Sequence, residues 1–163
     1  MNEYVKQMFR YEDGNLYRIK ASGGMKSGSM CGWTTICNGK QYKKINIKRK
    51  TYYLHQIIYM YFHGHIPEYI DHKDGDSLNN RIENLRTATQ SQNAANQRLR
   101  KTNRSGIKGV RFNERYGKWT AAIMVNRKHI SLGCHASAEE AKKAYEVGSK
   151  KYFGEFARSD EIS

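Results

Sequence analysis

The chain has 163 residues, with 29 Lys and Arg against 15 Asp and Glu, a formal net charge of +14 and a mean hydropathy of −0.87. That length buries one ordinary core or two small ones, and the excess of cations suits a polyanionic partner. Three cysteines (Cys31, Cys37, Cys134) close no disulfide framework, Met1 to Arg10 lacks the apolar run of a signal peptide, and the longest apolar stretch, Tyr53 to Phe62, is too short for a bilayer, so the expectation is a cytoplasmic protein of a reducing compartment.

Residues 1–53 read as a β-rich segment. Asp13-Gly14 is a turn signal before Leu16-Tyr17 and Arg18-Ile19-Lys20, and the Gly- and Ser-rich run Ser22 to Ser29 reads as a loop. A strand pair is expected around Trp33 to Cys37 and Tyr42 to Ile47. Lys40, Lys43, Lys44, Lys48, Arg49 and Lys50 occur with no acid among them, which fits either a phosphate-tracking β-ribbon or a solvated, lysine-guarded edge.

At Leu54 the period changes. Leu54, Ile57, Ile58 and Tyr61 mark one face of a helix, closed by Gly64 with Pro67 beyond. His55 flanks that face and reads first as a packing residue. His63-Gly64-His65 has a spacing that zinc would accept, without a Cys pair nearby.

Glu68-Tyr69-Ile70 reads as a strand delivering Asp71-His72, and Lys73 to Asn80 as a polar loop. Leu85 to Ala88 is a second short strand, and Thr89 with Gln92 is a capping-box pattern that starts a helix with Asn93 on its first turns. The chemistry of this strand, loop, strand and helix is distinctive. A carboxylate, Asp71, and an amide oxygen, Asn93, suit Mg²⁺ (or Mn²⁺), which prefers oxygen ligands and keeps positions for water and phosphate. His72 then remains available as a general base, with a neutral imidazole near physiological pH. Asn84 is placed to bond loop backbone and hold the base in orientation. Arg81 and Arg86 are candidates to grip phosphate or to pair with Asp76 or Glu83. An EF-hand calcium loop is excluded by the spacing of oxygen ligands about Gly75. An Asn- and Asp-rich turn without chemistry remains open on composition alone.

Residues 98–104 form a basic linker with Arg98, Arg100, Lys101 and Arg104. Beyond it, Gly106 to Asn113, Lys118 to Val125 and Lys128 to Gly133 read as three strands, with turns at Tyr116-Gly117 and Asn126-Arg127. Ser137 with Glu140 reads as a capping box for a helix that buries Ala141, Ala144, Tyr145, Gly148 and Tyr152 and ends at Gly154. Period-two alternation turns Trp119, Ala121, Ile123 and Val125 toward that helix and leaves the opposite sheet face for a partner.

Two resemblances bear on these units. Residues 54–97, through His55, the Asp71-His72-Lys73-Asp74-Gly75-Asp76 run, Asn79-Asn80, Glu83-Asn84-Leu85-Arg86 and Asn93, resemble the HNH endonucleases, most of all phage and intron-associated homing enzymes with Asn in the third motif position. That resemblance implies a ββα-metal fold, His72 as general base, Asp71 and Asn93 as divalent-metal ligands, and Asn84 as the central Asn of the motif. Residues 105–157, through Gly109-Val110-Arg111, Tyr116-Gly117-Lys118-Trp119, Leu132-Gly133 and Ala138-Glu139-Glu140-Ala141, resemble the AP2 DNA-binding domain. The AP2 likeness implies a three-stranded antiparallel sheet laid in the major groove, with Lys108, Arg111, Asn113, Tyr116, Met124 and His129 on the reading face. Ala122, Met124 and Ser131 stand where plant relatives tend to carry Glu, Arg and Trp, so base readout is expected to be looser or directed elsewhere.

The expectation is an α+β, two-part homing endonuclease, monomeric, that hydrolyses double-stranded DNA in a host cytoplasm. The alternatives are a DNA-binding regulator with a decayed nuclease unit, and a broadly unspecific nuclease, which an appended binding unit disfavours.

Overall fold

A computed structural model describes residues 1–21, 23–99 and 102–158. Ser22 of the expected loop, and Arg100 and Lys101 of the expected linker, lie outside the described residues. The chain divides into two units, Met1–Thr87 and Ala88–Ser163.

The first unit begins with helix α1 (Asn2–Met8), which the sequence reading does not anticipate. Met1 at its N-cap position has no capping side chain, and Val5 is its one buried residue; packing of that residue supplies what local propensity does not. Strands β1 (Phe9–Glu12) and β2 (Asn15–Arg18) pair antiparallel around Asp13-Gly14, both at positive φ (45° and 76°), the geometry that makes Asp-Gly a tight hairpin. Strands β3 (Trp33–Cys37), β4 (Lys40–Ile47) and β5 (Lys50–Tyr53) form a second antiparallel sheet in that order. Strand β5 is also new. Lys48 and Arg49 make its turn at φ 48° and 64°, without the Gly or Asn that signals such a turn in sequence.

Helix α2 (Leu54–His63) follows directly and ends as expected at Gly64, whose left-handed φ of 81° lets its N–H reach Met60 O at 2.8 Å. Leu54, Ile57 and Ile58 are fully buried and pack with Val5, Phe9, Leu16, Ile45, Ile47 and Leu85 in the core of this unit. Strands β6 (Ile70–His72) and β7 (Leu85–Thr87) pair antiparallel, with Asp71 opposite Arg86 and His72 opposite Leu85. Asp71 and His72 therefore lie within a strand two residues later than expected, where ladder bonds hold their backbone.

In the second unit, helix α3 (Gln90–Asn96) starts at the expected capping box: Thr89 Oγ1 accepts from Gln92 N at 3.2 Å, and Gln92 Oε1 from Thr89 N at 2.8 Å. This helix, grouped by sequence with the preceding motif, contributes Ala95 to the core of the second unit. Strands β8 (Val110–Asn113), β9 (Lys118–Val125) and β10 (Lys128–His135) form an antiparallel sheet in the order 10-9-8. β8 starts at Val110 rather than Gly106 because Gly106 and Gly109 take left-handed φ of 68° and 67°. A Cβ at Gly109 would lie 2.0 Å from the Tyr145 ring, so close packing as well as φ requires glycine there.

Helix α4 (Ala138–Phe153) covers one sheet face with Ala141, Tyr145, Gly148, Ser149 and Phe153. Tyr152, expected on that buried face, is exposed; Ser149 and Phe153 turn inward instead. Ser137 Oγ accepts from Glu140 N at 3.1 Å, while Glu140 Oε2 accepts from Ala136 N, one residue before the capping-box position. Ala121 and Ile123 are buried under the helix, with Trp119 and Val125 packed beside them, as the alternation requires. No helix among the described residues is long and apolar enough to cross a membrane.

Candidate active site

The β6–β7 pair and the loop between its strands hold the densest polar network of the first unit. Asp71 and His72 are 4% and 7% exposed, burial that charged or polar groups tolerate only with partners. Successive side chains of a strand leave opposite faces, so the two diverge. Asp71 Oδ2 takes an ion pair from Arg86 Nε at 2.9 Å across the ladder. His72 Nε2 lies 3.1 Å from Asn80 Oδ1, and Asn80, 1% exposed, donates through Nδ2 to Leu78 O at 3.3 Å. Because the amide nitrogen faces a carbonyl, the amide oxygen faces the ring. It accepts the Nε2 proton, which leaves the imidazole lone pair on Nδ1.

Asn84 staples the loop. Its Oδ1 accepts from Asp74 N at 3.1 Å, and its Nδ2 donates to Asp74 Oδ1 at 3.0 Å and to Asn79 O at 2.8 Å. Asp74 also accepts from Asp76 N and from Asn79 Nδ2. Burial raises the Asp74 pKa, but the bonds from Asn84, Asp76 N and Asn79 and the nearby His72 outweigh it and hold the carboxyl below its ordinary value. The sequence reading gave Asn84 the orientation of His72; the side chain that contacts the His72 ring directly is Asn80. Nothing in the sequence separates Asn80 from its neighbour Asn79 except the turn geometry that buries one and not the other.

The loop is braced from outside. The Tyr11 hydroxyl accepts from Ile82 N at 3.0 Å, Ser77 Oγ donates to Gln41 O at 2.6 Å, and the β1–β2 turn presses on the loop backbone. A Cβ at Gly14 would lie 2.8 Å from Arg81 N and 2.9 Å from Asn80 C, so only glycine fits at that tip.

His72 has a second aromatic neighbour. The ring of His55, on the first turn of α2, meets it edge to face at 5.1 Å, and stacks within 10° of parallel on Tyr53 at 5.3 Å. Burial, and then the neighbouring His72, push the His55 pKa down to about 3. For His72 itself burial lowers the pKa most, opposed by the Asn80 bond and by Asp74, Asp71 and Asp76.

Arg81 lies 3.7 Å from Asp13 on the surface, and Arg86 pairs with Asp71 rather than with Asp76 or Glu83. Asn93 is half-buried on the first turn of α3, its N–H on Thr89 O at 2.9 Å. His63 packs 4.2 Å from the Tyr59 ring, and among the described residues no three His, Cys, Asp or Glu side chains cluster as a metal centre. The Asp71 carboxylate is a hard oxygen donor, of the kind that Mg²⁺ or Mn²⁺ accepts more readily than zinc does. On the ribbon, Lys43 donates to Asn15 Oδ1 at 2.7 Å, and Lys44, Lys48 and Lys50 lie over the rings of Tyr53, Tyr4 and Tyr52.

In the second unit the register puts Arg111, Asn113, Met124 and His129 on the sheet face opposite α4, together with Lys118, which the sequence reading did not single out. Tyr116 is exposed at the β8–β9 turn under the Arg115 guanidinium. Lys108, also assigned to that face by resemblance, donates from Nζ to the carbonyls of Ala95 and Gln97 and so caps the end of α3.

Comparison with known proteins bears on the first unit most directly. Residues 52–95 match the family described as HNH endonuclease. The chain is 32% identical over 97 residues to protein 3.8 of Escherichia phage T7, covering 58% of this chain and 79% of that protein. It is also 32% identical over 112 residues to an uncharacterized HNH endonuclease of Acanthamoeba polyphaga mimivirus, covering 67% of this chain and 57% of that one. No solved structure matches it significantly.

Proposed function

The chain belongs to one family with protein 3.8 of phage T7 and carries an HNH endonuclease domain over residues 52–95, and from that premise we propose that it is a metal-dependent endonuclease of duplex DNA, of the homing type. The observation that carries the reading is the buried His72, whose Nε2 proton is held by Asn80 so that the opposite nitrogen presents its lone pair. In this mechanism His72 Nδ1 takes a proton from water as the water oxygen attacks phosphorus. The bond from phosphorus to the 3′-oxygen breaks, and the departing oxygen takes a proton from solvent water, leaving a 5′-phosphate and a 3′-hydroxyl. Asp71, and by the motif Asn93, are the residues that would hold Mg²⁺ or Mn²⁺; when bound, the ion supplies stabilisation of charge on the phosphate and the leaving oxygen. Arg86 holds the Asp71 carboxylate in a fixed rotamer, and Asn84 keeps the loop closed beneath the base.

The second unit is proposed to position the nuclease on DNA in the manner of an AP2 domain. Arg111, Asn113, Tyr116, Met124 and His129 are the contacting residues, joined by Lys118. Its exposed face carries cations and hydrogen-bonding side chains, as duplex binding requires.

Purified protein is incubated with supercoiled plasmid and with long phage DNA, in Mg²⁺ or in EDTA, alongside His72→Ala. Nicked or linear product that needs the metal and disappears in the variant is the expected result. A wild-type protein that shifts duplex in a gel and cuts none of the DNAs would instead favour a binding-only regulator.

A further inference from the structure

One half-buried group near the site has no part in the chemistry proposed above. His55 stacks on Tyr53 at 5.3 Å, leans on Tyr42 at 6.2 Å, and presents its ring edge to face against His72 at 5.1 Å. Tyr42 and Tyr53 come from strands β4 and β5 and meet each other at 5.3 Å, so the sheet forms a platform behind His55. The hydrogen bond that His72 Nε2 donates to Asn80 Oδ1 pins one atom of the His72 ring. That bond and the Cβ–Cγ bond fix two points of the ring, and rotation about the line joining them is opposed by a ring packed against it.

We propose that His55 is a positioning residue whose planar ring, clamped on the Tyr42–Tyr53 platform, fixes the plane of His72. The inference rests on the reading of His72 as the base. Burial holds His55 uncharged at neutral pH, with its pKa near 3, so the wall brings no positive charge up to a group that must accept a proton. Ring shape rather than imidazole chemistry is then what His55 contributes. The signal for it in sequence is slight, a histidine at the edge of an apolar helical stripe.

Two substitutions separate ring shape from mere volume: His55→Leu fills the space without a ring, and His55→Phe keeps the ring without nitrogens. Both are made in the full chain, with folding checked by circular dichroism. Long-range ¹H–¹⁵N spectra of the imidazoles are recorded for each protein, and plasmid cleavage is measured in parallel. Wild type and H55F are expected to show one sharp set of His72 ring resonances, and H55L a broadened or doubled set, all three keeping the Nε2-protonated tautomer that the Asn80 acceptor sets. In cleavage, H55L is expected to lose about 10- to 100-fold in kcat with KM within about twofold, while H55F stays within about threefold of wild type. A single sharp set of His72 ring resonances retained in H55L overturns the proposal, as does H55F behaving like H55L or a change confined to KM, which would make His55 a DNA contact. If the wild type cuts no DNA, the reading of His72 as base fails on its own, and the imidazole spectra still decide whether His55 sets the ring.

Discussion

Replacing Asn80 by Ala tests the geometry of the base at its firmest point. Asn80 is 1% exposed, so no DNA reaches it, and its effect must pass through the groups it touches. Its backbone N–H already bonds Leu78 O at 3.0 Å, so that carbonyl keeps a donor when the side-chain amide is removed. The loss falls on His72, which forfeits the 3.1 Å bond at Nε2 inside a buried site. A buried polar group deprived of a hydrogen bond costs roughly 1–3 kcal/mol, and the vacated volume adds to it, so about 2–3 kcal/mol of stability is expected to go. Without that acceptor the two tautomers come close in energy and the lone pair no longer points one way. Misorientation of this kind costs on the order of 10- to 100-fold in kcat, with KM nearly unchanged. Urea unfolding followed by Trp33 fluorescence in a Trp119→Phe background reads the stability of the first unit, and single-turnover nicking of supercoiled plasmid reads the rate. Cleavage by Asn80→Ala at the wild-type rate, or a rise in KM with kcat preserved, would refute the account.

Three further outcomes follow from the same contacts. Arg86→Ala leaves Asp71 buried without the guanidinium 2.9 Å away, and is expected to cost about 3 kcal/mol in the same urea assay; a change under about 0.5 kcal/mol would show that the pair is immaterial to the fold. His55 has a depressed folded pKa of about 3 against an ordinary 6.5, so the stability it lends is complete above pH 6.5 and is lost as pH falls toward 3, by about 1.4 kcal/mol per unit. His55→Phe should accordingly flatten the denaturation midpoint between pH 6 and 4, and an unchanged slope would mean the histidine is not held neutral. Lys108→Met removes the donor at the end of α3 and is expected to lower the stability of the second unit by about 1 kcal/mol while leaving DNA affinity intact, whereas Arg111→Ala should weaken affinity and reduce its salt slope by about 1. Filter binding across a salt series separates the two; a matching loss of affinity in both would return Lys108 to the contact face.

What the sequence discloses here depends on whether a residue's neighbours are local. The α2 stripe, the Thr89 cap and the alternation of β9 are local patterns of period or spacing, and they match the structure closely. Strand β5 and helix α1 escape notice because the first turns on two positive-φ residues that are neither Gly nor Asn, and the second buries only Val5 fully, with Tyr4 and Met8 partly covered beside it. At the site the motif names Asp71, His72 and Asn84 directly. The partners of His72 come from elsewhere, Asn80 through a turn that buries it and His55 from a different element. Burial created by tertiary packing has no period to read.

The charge distribution around the base has its own logic. In a chain of net charge +14, Asp71, Asp74, Asp76 and Glu83 all fall between residues 71 and 83. Carboxylates there oppose attraction to a polyanion, so their concentration calls for a local reason. Burial orients His72 but also drives its pKa down, and a base that binds its proton too weakly gains little from good alignment. Asp74, Asp71 and Asp76 act in the opposite direction on the same ring, and the structure secures the first two with a staple and an ion pair. In the proposed mechanism the acidic loop thus offsets the effect of burial on His72, and because its carboxylates are bonded within the protein, less of their charge faces an approaching phosphate.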